Sequence, residues 1–359
     1  MYYLCLSMEK IKIGITSGDI NGIGLEVILK SLNNESLLQT GIPVIYGNIK
    51  ITSYHKNIVN LPNLSIYVLN PGEKPKHNRV NLVNCWNDNV NITLGKPTPE
   101  GGKLAMLALD QAVADLMRNE LDALVTGPIH KHSMKMAGYQ HMGHTPYLLE
   151  KSKSRDCLMM MISERLRIGL VTDHLPLKDV CSAISKELLI SKIQLMESSL
   201  IRDFGIEKPN IAVLGLNPHA GEEGMLGMEE EQIIRPAIIE SKKSGIFVSG
   251  PYSSDGFFGA GKFTKFDGIL AMYHDQGLIP FKTLSFNSGV NYTAGLAFIR
   301  TSPDHGTAFD IAGQNIADHE SMLHAIYAAK DIVSESKGYY DDRKNVLKKK
   351  PKLSEELSE

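Results

Sequence analysis

Short apolar runs alternate with stretches of helical periodicity along most of the chain, the pattern of a layered α/β protein with a largely parallel sheet. IKIGIT (11–16) is strand-like and passes through a glycine-rich turn into the helical LEVILKSL; PVIYG, LSIYVL and VNLVNCW follow as further strands. From Pro99 to Asn119 the apolar residues Leu104, Leu107, Ala108, Ala112 and Leu116 recur at helical spacing, ahead of the strand ALVTGPI (123–129). The middle of the chain repeats the theme with RIGLVTDH, a helix around 186–200, IAVLGLNPH, a helix around 229–242, IFVSGP and GILAMYH. GLAFIRTS is a last strand, HESMLHAIYAAKDIVSES a last helix, and RKNVLKKKPKLSEELSE a charged, solvated tail. Boundaries near 130 and 300 predict two α/β domains with a cleft between them, one of residues 1–130 and 301–359 and the other of residues 131–300.

Composition narrows the function. A chain of 359 residues with 43% apolar content can build two cores. The 38 Lys and Arg against 40 Asp and Glu give a formal net charge of −2, without the basic excess of a nucleic-acid binder, so a small ligand is expected. Cys5, Cys85, Cys157 and Cys181 form no CxxC pair and read as reduced thiols of a cytoplasmic protein. No run approaches the roughly 18 apolar residues that span a bilayer. The opening MYYLCLS lacks the basic region and cleavage site of a signal peptide; either Met8 is the natural start or the first seven residues are a loose tail.

Chemistry in open α/β sheets collects at the carboxyl ends of strands. His174 closes RIGLVTDH, His219 closes IAVLGLNPH and His274 closes GILAMYH, each ahead of a turn. Any one alone serves equally well as a strand cap bonded to a carbonyl. Three in the same topological place point to a divalent-metal site with open positions for substrate. Thr145, after Gly143 and His144, stands at the start of the helix PYLLEKS, either as an ordinary N-cap with Pro146 at N1 or as an anion site; a cap can be both. Lys282, Asn291 and Arg300 follow His274 and together suit a phosphorylated substrate, although each alone reads as a surface group. GFFGAGK (256–262) has Phe263 where a P-loop needs Ser or Thr, and GDINGIG (18–24) lacks the dinucleotide spacing.

The ordered series GDINGIGLE, VTGPIHK, AGYQHMGHT, TDHLPL, LNPHAGEEGMLGMEEE, LAMYHDQGLIPFK and GVNYTAGLAFIRTSPDHGTAFDIAG resembles the 4-hydroxythreonine-4-phosphate dehydrogenase family of pyridoxal phosphate biosynthesis, from about residue 11 to 330. The resemblance implies an isocitrate/isopropylmalate dehydrogenase-like fold and a homodimer with its active site in the interdomain cleft. It implies that His174, His219 and His274 bind one divalent metal (Zn2+, Co2+ or Mg2+) shared across the dimer interface. His144, Thr145, Lys282, Asn291 and Arg300 would hold the phosphorylated substrate, and His305, Gly306 and Asp318 would match a loop for NAD or NADP. The implied reaction oxidises the C3 hydroxyl of 4-phosphooxy-L-threonine to a 3-keto acid, which loses CO2 to give 3-amino-2-oxopropyl phosphate. Asp255 and Lys282 are candidates for the base by position. The chain departs from the family pattern at GDINGIGLE (usually GDPAGIGPE), at His130 (usually Asn) and at SSDGFF (253–258, usually ADTLF). Rival readings are a dehydrogenase of 4-phospho-D-threonate or 4-phospho-D-erythronate, a non-catalytic phosphometabolite-binding protein, and acyl transfer to phosphate. The histidine triad together with HGTAFDIAG argues against the last two.

Overall fold

The computed structural model describes residues 10–141, 143–286 and 288–344. The expected start at Met8 and all of the charged tail beyond Lys344 lie outside the described residues, while the tail's first two residues, Arg343 and Lys344, end the last helix. Within them, one sheet is built from β1 (Ile11–Thr16), β2 (Gly41–Gly47), β3 (Ile66–Val68), β4 (Val80–Asn84), β5 (Ala123–Thr126) and β6 (Leu158–Ile162). It continues with β7 (Arg167–Leu170), β8 (Ile211–Leu214), β9 (Val248–Tyr252), β10 (Gly268–Ala271), β11 (Val290–Ala294) and β12 (Ile299–Pro303). The spatial order is β3-β4-β2-β1-β5-β12-β11-β6-β7-β10-β8-β9.

Strands covered by helices on both faces need unbroken apolar runs, and β2, β5, β8 and β10 are buried along their whole length. From β3 to β12 every pairing is parallel, as is every pairing from β7 to β9. Between these halves lie three successive antiparallel pairings, β12 with β11, β11 with β6, and β6 with β7. An odd number of reversals leaves the halves running in opposite directions, so their carboxyl ends open on opposite edges of one continuous sheet.

The helices follow local rules. Helix Pro99–Met117 starts where Thr98 accepts from the Gly101 amide, with Pro99 in the first turn, where its missing N–H costs nothing. Helix Glu320–Lys344 buries Met322, Ala325, Ile326, Ala329, Ile332 and Val333, one stripe at helical spacing, against β12, β5, β11 and β1. The helix expected around 229–242 begins with a π-turn, Glu230–Ile234, before the α-helix Arg235–Lys243. Thr145 departs from expectation. The helix begins at His144 and its cap is Gly143 at φ 123°, which offers no side-chain cap bond.

Candidate active site

β7, β10 and β8 are parallel neighbours, so the segments bearing His174, His274 and His219 leave the sheet at one edge. His174 and His274 approach with ring centroids 5.8 Å apart. Each turns Nδ1 toward the carboxylate beside it in sequence. His274 Nδ1 is 2.7 Å from Asp275 Oδ1, and His174 Nδ1 is 3.4 Å from Asp173 Oδ2. This leaves both Nε2 atoms for another partner, the arrangement that orients metal-binding imidazoles. Hydrogen bonds from His174 hold the Asp173 carboxyl at about 2. The two histidines, Asp173 and Asp275 line a cavity of about 350 Å³ with Leu175 and Tyr273. His274 is the first residue of helix His274–Ser285; a helix, not a turn, follows it.

His219 lies near enough to Asp255 for its charge to help lower that carboxyl, after the hydrogen bonds from Ser253 and the Gly256 amide. Among the described residues, no group of three or more His, Cys, Asp or Glu side chains closes on one point as a metal cage. One chain thus brings together two of the three expected ligands, with donor atoms and supporting carboxylates that fit a divalent ion.

Of the anion-binding candidates, Arg300 and His144 lie near enough to influence each other. Arg300, on β12, is 2% exposed and donates to Thr126 Oγ1 from Nε (3.1 Å) and Nη2 (2.6 Å) and to Thr293 Oγ1 from Nη1 (3.1 Å). It is no surface group. Burial lowers its pKa to about 10, so it remains charged near neutrality. No carboxylate among the described residues pairs with it; two hydroxyls are its hydrogen-bond partners. A full charge so buried is costly without a counter-ion. Burial, helped by the Arg300 charge, holds His144 well below its ordinary pKa and hence neutral, and its Nε2 is buried without a partner. Asn291, on β11 opposite Ser302, likewise has a buried, unpaired Oδ1. Thr145 follows His144 in the first helical turn.

Lys282 lies 3.2 Å from Asp304 Oδ1. Burial raises Asp304, while Lys282, His305 and His274 oppose the shift. Asp304 therefore joins elements that sequence reasoning treated separately; its signal was its place immediately before HGTAF. His305 has a buried, unpaired Nε2, and burial lowers its pKa. Gly306 is exposed. Asp318 accepts from the Glu320 amide at the start of the long helix. The segment following His305 docks on the first glycine-rich loop: the Ile23 amide donates to the Thr307 carbonyl at 3.0 Å, and the His130 ring packs on Phe309 with centroids 4.9 Å apart.

Comparison with known proteins agrees along nearly the whole chain. The family model described as pyridoxal phosphate biosynthetic protein PdxA matches residues 39–329. A 4-hydroxythreonine-4-phosphate dehydrogenase of Bacteroides thetaiotaomicron is 45% identical over 342 residues, covering 95% of this chain and 94% of that protein. A relative in Oceanobacillus iheyensis, 37% identical over 89% of this chain and 97% of its own length, carries a D-threonate 4-phosphate dehydrogenase name. The solved 4-hydroxythreonine-4-phosphate dehydrogenase of Klebsiella pneumoniae superposes with a TM-score of 0.81 at 33% identity, covering 92% of this chain and all of that one. By sequence and by fold alike, the chain belongs to the pyridoxal phosphate biosynthetic protein PdxA family.

Proposed function

We propose that the chain oxidises 4-phosphooxy-L-threonine at C3 with NAD or NADP, as a dehydrogenase of pyridoxal phosphate biosynthesis, and that the 3-keto acid formed decarboxylates to 3-amino-2-oxopropyl phosphate. The observation that carries the substrate class is Arg300, a buried guanidinium bonded to two hydroxyls beside the unpaired His144 Nε2. A phosphate dianion would supply the missing counter-charge. In this reading Arg300, His144, Thr145 and Asn291 grip the phosphate end, and Lys282 balances it. Asp255, or Lys282 as the neutral amine, takes the hydroxyl proton; Asp304, 3.2 Å from Lys282, holds that side chain in place. A divalent ion on His174, His219 and His274 (Zn2+, Co2+ or Mg2+) would polarise the reacting oxygen. The nicotinamide cofactor would accept hydride, with His305, Gly306 and Asp318 on its side of the cleft, where residues 131–300 form the metal-bearing domain.

The working unit in this reading is a homodimer. Leu175 and Leu177 follow His174, and Met225, Leu226 and Met228 follow His219, all exposed apolar side chains beside the histidines. A cytoplasmic location goes with the free thiols of Cys85, Cys157 and Cys181, and no described helix is long and apolar enough to cross a membrane.

Turnover of 4-phosphooxy-L-threonine beside 4-phospho-D-threonate and 4-phospho-D-erythronate, with both nicotinamides and each metal, tests the reading. The threonine phosphate should give the highest kcat/KM; preference for the threonate would favour the second reading, which the Oceanobacillus relative supports. Arg300→Ala should raise the KM of the phosphorylated substrate by roughly 10- to 100-fold, the loss of one charge-assisted hydrogen bond, and leave the nicotinamide KM nearly unchanged. The opposite split would remove Arg300 from the phosphate site.

A further inference from the structure

The turn that carries His219 is held in an unfavourable backbone conformation. His219, Ala220, Gly221, Glu222 and Glu223 have φ of 54°, 53°, 80°, 42° and 53°. Four of the five carry a Cβ, and L-residues enter the left-handed region only when their surroundings over-determine it. One side chain does so here. Glu230, fully buried at the head of the π-turn, accepts from the Leu216 and Asn217 amides through Oε1, each at 2.7 Å, and from Asn217 Nδ2 through Oε2 at 2.9 Å. Its carboxylate fills the concave side of the turn so closely that a Cβ at Gly221 would lie 2.6 Å from Oε2. Three donors thus converge on a group that only accepts, and none of the described cations pairs with it. The π-turn itself inserts a residue into the helix at this point, a distortion common beside functional sites.

We propose that Glu230 is a positioning residue: by capping the Leu216 and Asn217 amides it sets the left-handed turn 219–223 and thereby the place of the His219 imidazole. The inference rests on the reading of His219 as a metal ligand, and its test keeps the two separable. Glu230→Gln preserves the shape but turns an amide donor toward one of the three donors; Glu230→Asp keeps an acceptor on a shorter arm.

Amide hydrogen exchange of the full chain without metal reads the turn directly. Glu230→Gln should speed exchange over 215–224 by at least about tenfold and leave the segment 11–126 at the wild-type rate. Titration with Co2+ alone should show a 10- to 100-fold weaker Kd, the usual effect of losing support behind a ligand. In turnover, kcat should fall while the KM of the phosphorylated substrate stays within about threefold, with Glu230→Asp between the two. A purely structural role would lower Tm without this local exchange and without the kcat-only loss. Wild-type exchange over 215–224 together with wild-type Co2+ affinity in folded Glu230→Gln would overturn the proposal. His219→Ala is the control for the underlying reading: if it binds Co2+ as wild type does, His219 is no ligand, and exchange alone then decides the role of Glu230.

Discussion

Burial sets the protonation of single side chains in this protein more than ion pairing does. His55, whose Nε2 lies 2.9 Å from the Ile20 carbonyl, is lowered below the ordinary 6.5 chiefly by desolvation, and burial lowers His144 and His305 as well. In the unfolded chain these imidazoles return to the ordinary value and bind more protons in acid than the folded protein does. Their contribution to stability is therefore complete above about pH 6.5 and declines as pH falls toward the folded-state values. Asp19 and Asp304, raised by burial, act in the opposite sense nearer the carboxylate range. The urea midpoint should drop between about pH 7.5 and 5.5, and His55→Gln, which can still donate to Ile20, should flatten that slope. A midpoint that rises toward the lower pH, or an unaltered slope in the variant, would contradict this. At this scale the sequence revealed residue types but not their depth. Arg300 looked like one more surface arginine because its burial depends on Thr126 and Thr293, which come from two other strands.

Among the elements, parallel strands such as β8 and β10 were legible because each is a continuous apolar run, and helix Pro99–Met117 because its cap, proline and periodicity agree. β6 and β11 escaped notice for different reasons. LMMMI is apolar but rich in methionine, which signals no strand preference, and VNYTA mixes polar and apolar residues without a clean alternation. Yet these two join the halves of the sheet. Their neighbourhood is fixed by a buried cluster: Tyr292 of β11 donates to Asp203 Oδ2 at 2.5 Å, and Asp203 also accepts from Ser199 and Arg202 of helix Lys186–Arg202. Tyr292→Phe removes one bond to a charged acceptor and should cost about 1.5–3 kcal/mol in urea unfolding with kcat unchanged. A loss under about 0.5 kcal/mol would show that Asp203 is adequately satisfied without the phenol.

At the scale of the whole molecule, the sequence predicts two α/β domains, whereas the described strands form one continuous sheet, and the strands that join its halves, β6 and β11, were the ones missed. The histidine edge explains why the exposed apolar residues matter. Leu177 is 69% exposed and Met225 79%, in segments that follow His174 and His219. Sedimentation should show a dimer. Leu177→Glu and Met225→Glu should shift it toward monomer and lower turnover by at least about tenfold, because a charge cannot be buried unpaired at an interface. Hybrids of inactive His174→Ala and Lys282→Ala chains should regain part of the activity if the site draws on both subunits. Monomeric wild type with full activity would end that account.

The place of β12 has a further consequence for how the protein is made. β12 lies beside β5 and completes the first half of the sheet, although it is the last strand in sequence order among the described residues. During synthesis, the hydrogen-bonding edge of Ala123–Thr126 must wait until Ile299–Pro303 leaves the ribosome. At ordinary elongation rates that interval is on the order of ten to thirty seconds. Throughout it a short strand edge, destined to be wholly buried, lies open, the kind of surface on which nascent chains pair with the wrong partner. Helix Glu320–Lys344, which covers the same strands, arrives later still. The first half begun is thus among the last to close, and the growing chain is most in need of a chaperone until Ile299–Pro303 has been made.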